Sequence, residues 1–231
     1  MTGIYLQVRL GSKRLPEKAL LDLSGKNVLE HAMDSLKRVP AEVYALVTDD
    51  NSYPALTEMA RPYGFDVFAG SSEDVMKRYL DAARRYGTDV LMRATGDNPL
   101  VSWEMAVKIM EIFKQIGSDF SSFKGMPLGT GVEIFKREAL ERAFAETSPG
   151  YYREHVSPYM YENPETFYIH RPEVEEKYAF PDGRVTLDTV DDYLYISKIF
   201  EELYHSEPIP LISLVDWLKK EQETIAVRHS A

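Results

Sequence analysis

Two hydrophobic periods alternate along the first 117 residues of this chain. Ile4-Tyr5-Leu6-Gln7-Val8 is a short, almost wholly apolar run, the pattern of a strand buried on both faces. Residues 27–39 then place Val28, Leu29, Ala32, Met33 and Leu36 on one face of a helix. The same reading predicts strands at 43–47, 65–68 and 89–94. Helices are predicted at 53–63, with Pro54 near the start, at 72–86, where Ser72-Glu73-Asp74 suits an N-terminus, and at 103–116. A βαβα series of this kind predicts an α/β fold: a mainly parallel sheet with right-handed crossovers and helices on both faces.

After Gly117 the regularity weakens. Residues 132–135 and 184–187 can be strands, and 137–144, 191–204 and 211–221 helices, with a frayed tail beyond. Between them, residues 151–181 hold Tyr151, Tyr152, Tyr159, Tyr161, Phe167, Tyr168, Tyr178 and Phe180. Such aromatic density calls for burial, either against the sheet or in a subunit interface. No low-complexity linker or internal repeat divides the chain, so 1–231 is expected to be one domain, with 131–181 as an acceptor-binding or dimerisation region.

Composition narrows the class. With 231 residues and 44% hydrophobic content the chain can bury a substantial core. No run of eighteen apolar residues is present, and the N-terminal apolar stretch is short and followed by Arg9, so neither a membrane span nor a signal peptide is expected and a cytoplasmic setting is. The absence of cysteine removes disulfides, thiolate catalysis and cysteine-ligated zinc. A net charge of -10 argues against a nucleic-acid partner.

Against that acidic background, Arg9, Lys13, Arg14 and Lys18 crowd into ten residues directly after the first strand. Open α/β sheets bind ligands at the carboxyl ends of their strands. The run Arg9-Leu10-Gly11-Ser12-Lys13-Arg14 therefore reads as a phosphate loop, in which Gly11 permits close backbone approach, Ser12 adds a hydroxyl and the cations supply charge-assisted bonds. A solvated basic turn is the plainer alternative. Two acidic positions shift the balance: Asp97 follows the strand at 89–94 and Asp188 follows that at 184–187. Taken singly, each could be a turn or cap residue. Facing a phosphate loop together, they are the usual way to hold Mg²⁺, which binds through one or two carboxylates plus substrate oxygens. No P-loop, complete dinucleotide fingerprint, nucleophile elbow or zincin motif occurs, and Gly25-Lys26 is only a fragment of the first.

The stretch Gln7 to Lys18 resembles the opening of the cytidylyltransferases that make CMP-activated sugars, including the CMP-sialic acid and CMP-KDO synthetases. Within that group it is most similar to the spore-coat polysaccharide biosynthesis protein F type. Leu20 to Lys26, Gly70 to Tyr79, Arg93 to Leu100, Arg153 to Tyr159 and Thr186 to Thr189 carry the likeness through the chain in order. One departure is Glu17, where the family usually has glycine. The resemblance implies a three-layer α/β/α, Rossmann-like nucleotide-diphospho-sugar transferase fold and Mg²⁺-dependent transfer of CMP from CTP to a sugar or sugar-acid acceptor, with release of pyrophosphate. It implies that Arg9, Ser12, Arg14 and Lys18, with the loop backbone through Leu10 and Gly11, hold the triphosphate, that Gly70 and Ser71 lie near the cytosine, and that Asp97 and Asp188 are metal ligands. Arg153 and His155 are candidates to touch the acceptor, His155 also as a proton relay, although a histidine that merely caps or packs within a helix is the commoner case. Glu133 either touches the acceptor or faces solvent. A glycosyltransferase of the same broad fold and a non-catalytic nucleotide binder are the alternatives. A two-fold homodimer is expected, with Arg153, Glu154, Glu162 and Glu165 rimming its aromatic contact. Two close carboxylates should repel, so neutralising Asp97 or Asp188 without metal is expected to raise the melting temperature.

Overall fold

The computed structural model describes residues 1–12 and 14–230, the last six by backbone alone; Lys13, one of the four loop cations, and Ala231 lie outside the described residues. The apolar runs form the strands they imply. β1 (Thr2–Gln7), β4 (Val43–Thr48), β5 (Asp66–Ala69) and β6 (Val90–Thr95) pair in parallel in the order β5-β4-β1-β6. The sheet continues through β8 (Glu133–Lys136), β7 (Phe120–Ser121) and β9 (Ile169–His170) to seven strands, β8 running antiparallel to both its neighbours. A two-stranded hairpin, β2 (Asp22–Leu23) and β3 (Lys26–Asn27), stands apart. Its turn, Ser24-Gly25, has φ of 55° and 89°, the doubly positive turn that matches the twist of paired strands. Gly25-Lys26 therefore serves a hairpin.

Strand period 2 sends alternate residues of β1 to opposite cores. Ile4 and Leu6 pack with α1 (Val28–Leu36) and α4 (Trp103–Ile116) on one face. Tyr5 packs with α3 (Val75–Tyr86) and α5 (Arg137–Glu146) on the other. The helices begin where their caps dictate. Asn27 and Glu30 form a reciprocal capping box on α1, Asp74 accepts from Lys77 N at the start of α3, and Ser102 does the same for α4. A third cluster gathers Leu23, Val28 and Leu187 with α8 (Val190–Leu203) and α9 (Leu211–Ser230). The last helix continues through 230 instead of fraying after 221.

The strand expected at 184–187 is not formed. Val185 and Leu187 are buried while Arg184 is exposed, as the alternation implied, but the only pairing described is a single bridge between Leu128 and Arg184. Gly129, at φ 104°, carries the opposing backbone so close that a Cβ there would lie 3.0 Å from Val185. The extended segment still ends in Asp188 beside the sheet. Of the clustered aromatics, Phe167 is buried, and Tyr159 and Tyr161 pack against the α5 side of the sheet. Tyr178 and Phe180 join the third cluster, whereas Tyr151 and Tyr168 face outward.

Candidate active site

The carboxyl ends of β1 and β6 open into a cavity of about 530 Å³. Its floor is Gln7, Val8, Arg93 and Thr95; the loop supplies Arg9, Gly11, Ser12, Arg14 and Lys18; Asp97 and Asp188 stand on one side, and Val75, Arg78, Glu154 and His155 close the other. The loop folds on itself, with Glu17 N donating to Leu10 O at 3.2 Å and Leu10 N donating to Ser52 Oγ at 3.0 Å. Leu10 is consequently an anchor for the loop: its amide is used and its side chain packs into the core beneath. That corrects its expected place among the nucleotide contacts.

Lys18 is the centre of the acidic side. Its ammonium lies 2.6 Å from Asp97 Oδ2, 3.0 Å from Asp188 Oδ1 and 2.6 Å from the carbonyl of Leu187, donating to the last two and forming an ion pair with the first. Asp188 also accepts from Arg14 and from Arg184, each at 2.7 Å. The carboxylate is held in place by the start of α8. Thr189 is the N-cap, and Asp192 completes its capping box while accepting from Asp188 N at 2.9 Å. Asp188 therefore precedes the cap, which leaves its side chain free for the site. Asp97 is likewise not spent on its turn, since Asn98 bonds Thr95 there.

The opposite wall depends on an unusual turn. Val156, buried and β-branched, has φ 72° and ψ −62°, and Ser157 N closes onto His155 O at 2.9 Å. This three-residue turn is rare and strained. It reverses the chain between α6 (Tyr151–His155) and α7 (Pro158–Glu162), with His155 lining the cavity and the Ser157 hydroxyl donating to Glu133. Glu133 also pairs with Arg93 Nη1 at 2.7 Å. It belongs to a partly buried network beneath the floor, neither facing solvent freely nor lining the cavity. Burial alone would pull Arg93 down, but Glu133 and Tyr79 hold it above the ordinary guanidinium value.

Arg153 is a second correction. Its guanidinium donates to Asp74 Oδ2, Thr147 Oγ1 and the carbonyls of Phe144 and Thr147, all within 2.7–2.9 Å, and lies over the Phe144 ring. Buried and saturated, its guanidinium is spent on the fold, against its expected place at the acceptor and at an interface rim. Gly70 and Ser71 do not line the cavity either. Gly70 N bonds Thr48 O beyond β5, and Ser71 Oγ accepts from Asp74 N. Glu17, the departure from the resembled pattern, sits at φ 53°, ψ 25°, the left-handed region where glycine carries no penalty. Glu17→Gly is expected to remove that strain and a negative charge from the loop, tightening CTP a few-fold in calorimetric titration. Unchanged or weaker binding would contradict this.

A cytidylyltransferase family model matches residues 4–226 of this sequence. The chain belongs to the cytidylyltransferase family. Nucleotidyl transfer from CTP is accordingly its chemistry, as the resemblance implied. The enzyme is similar to an uncharacterized protein of Methanocaldococcus jannaschii, 35% identical over 93% of this chain and 89% of the relative. It is also similar to the spore coat polysaccharide biosynthesis protein SpsF of Bacillus subtilis, 25% identical over 97% of each. Among solved structures, a cytidylyltransferase from Leptospira borgpetersenii superposes with a TM-score of 0.87 at 29% identity, covering 96% of this chain and 95% of that one.

Sequence reasoning missed three guanidinium groups of this cytidylyltransferase: Arg78 and Arg93 in the cavity wall and floor, and Arg184 on Asp188. A signal for the first two was present. Each is a lone cation at a position whose helical or strand period calls for an apolar residue.

Proposed function

We propose that this enzyme transfers the cytidylyl group of CTP to a hydroxyl of a sugar-type acceptor, for surface polysaccharide synthesis in the cytoplasm, with Mg²⁺ held between Asp97 and Asp188. The observation that carries this reading is the meeting of both carboxylates on one cation, the Lys18 ammonium, under a basic loop. Among the described residues no cluster of three or more His, Asp or Glu side chains could hold a metal alone. Two carboxylates completed by phosphate oxygens suit Mg²⁺. Bound there, the ion would neutralise phosphate charge and lower the acceptor hydroxyl's pKa. The protein's own part is positioning. Ser12, Arg9 and Arg14 receive the phosphate chain, with Arg14 and Lys18 each exchanging a carboxylate for a phosphate oxygen. Glu154 and His155 face the acceptor. In-line displacement at the α-phosphorus needs little beyond such alignment and charge neutralisation.

The name of the Bacillus relative supports a polysaccharide setting, and among the described residues no helix is long and apolar enough to cross a membrane. Incubation with CTP, Mg²⁺ and a panel of sugars and sugar acids tests the reading through pyrophosphate release. Acceptor-dependent release supports it; none with any acceptor rejects it. A glycosyltransferase would use a nucleotide-sugar donor, and the family match favours CTP. We further propose a two-fold homodimer through the 131–181 region, where Tyr151 and Tyr168 are exposed large aromatics. Light scattering after gel filtration is expected to give twice the 26.5 kDa chain mass; the monomer mass at all micromolar concentrations would reject the dimer.

A further inference from the structure

Two consecutive residues between α6 and α7 hold conformations that their own chemistry disfavours. Val156 is β-branched and buried, yet sits at φ 72°, ψ −62°, a γ-turn geometry that L side chains resist. Ser157 is helical, at φ −96°, ψ −19°, directly before Pro158, whose ring pushes its predecessor towards extended backbone. Such conformations persist only where the surroundings impose them. α6 cannot do so: it has five residues and no side-chain cap, too few to be stable alone. The surroundings act through Ser157. Its hydroxyl, in a residue 1% exposed, donates to Glu133 Oε2, the oxygen that also accepts from Arg93 Nη1. Glu133 and Arg93 are cross-strand partners in register on β8 and β6, and Arg93 Nη2 donates in turn to Gln7 Oε1 at 3.2 Å. A hydrogen bond to a charged acceptor is comparable in size with such backbone strain, so this one is enough to hold the turn against the sheet.

What the turn carries is His155, which immediately precedes it and lines the cavity. Earlier in α6, Arg153 ties the helix to Asp74 and Thr147. About 200° of helix rotation separates the side chains of Arg153 and His155, so anchoring the first in the fold turns the second towards the cavity. The ring of His155 rests on Tyr151, 4.6 Å between centroids, but Tyr151 is itself exposed and cannot fix the imidazole. Its position is therefore set by the backbone, held by Arg153 before it and Ser157 after it. We propose that Ser157 is a positioning residue for cytidylyl transfer: by bonding Glu133 it holds the strained turn that presents His155 to the acceptor. This rests on His155 facing the acceptor, and it makes Glu133 the anchor that ties the turn to the cavity floor through Arg93 and Gln7.

Ser157→Ala removes the hydroxyl and leaves the Glu133–Arg93 pair intact. In a variant whose circular dichroism matches wild type, pyrophosphate release is expected to show kcat/KM for the acceptor lowered about 10–100-fold, with CTP affinity by calorimetric titration within about twofold of wild type, because the phosphate loop and Lys18 stand on the other side of the cavity. Action through His155 also predicts that Ser157→Ala adds little to the loss in His155→Ala, since residues that work as one unit are not additive. Wild-type acceptor kinetics in Ser157→Ala would overturn the inference. So would an equal loss of CTP affinity, or a fully additive loss in the His155→Ala background, either of which would make Ser157 a support of the fold at large. If Ser157→Ala does not fold, Ser157→Cys serves: the thiol fills nearly the same space and is a weak donor, so kcat/KM for the acceptor should still fall, and wild-type kinetics there would overturn the inference equally. Wild-type kinetics in His155→Ala would remove His155 from the acceptor and this role of Ser157 with it, whereas an impaired His155→Ala beside an unimpaired Ser157→Ala removes the role of Ser157 alone. No release by the wild-type protein with any acceptor would remove the cytidylyl-transfer reading as well.

Discussion

Asp97→Asn and Asp188→Asn are each expected to lower turnover at least about 100-fold at saturating CTP and Mg²⁺. The amide is nearly isosteric with the carboxylate but is a poor ligand for a hard cation. The stability effect has the opposite sign to the one expected from repulsion between two carboxylates. Lys18 already bridges Asp97 and Asp188, and Arg14 and Arg184 add two further cations to Asp188. Neutralising Asp188 removes the anion that Lys18, Arg14 and Arg184 share, so the melting temperature should fall by a few degrees without metal. Wild-type turnover in both variants would remove the pair from the chemistry, and a higher melting temperature for Asp188→Asn would contradict the network.

Arg153→Met should instead act on the fold. Its loss strands Asp74, whose carboxylate is largely buried and also caps α3 through Lys77 N. Breaking one partner out of a buried pair costs about 3–5 kcal/mol, which for a chain of this length lowers the melting temperature by about 6–20 °C. Adding Asp74→Asn removes the orphaned charge and keeps the cap, so the double variant should regain part of that loss. A single variant with wild-type stability but impaired acceptor use would return Arg153 to the acceptor site.

These two cases show where a sequence is readable and where it is not. Helix 103–116 was legible to the residue because Ser102 and Gly117 cap an amphipathic run, and local rules settle such ends. β7 and β9, two residues each, carry no period to read. Segment 184–187 has the alternation of a strand because Val185 and Leu187 bury against α8 and α9, not because it joins a sheet. In the site, charge and position were legible for Arg14, Lys18, Asp97 and Asp188, whose strand-end placement follows from the βα order. Whether a guanidinium is spent or free is not a local property. Arg153 is paired with Asp74, 79 positions away, whereas Arg78 Nε and Nη1 are buried with no hydrogen-bond partner among the described residues.

The most direct test of the account is the fate of the α-phosphate. With CTP labelled there, Mg²⁺ and a competent acceptor, the account predicts that label passes to an acceptor conjugate in step with pyrophosphate. Label recovered only as free CMP, or retained in CTP while a nucleotide-sugar donor is consumed, would contradict cytidylyl transfer at this site.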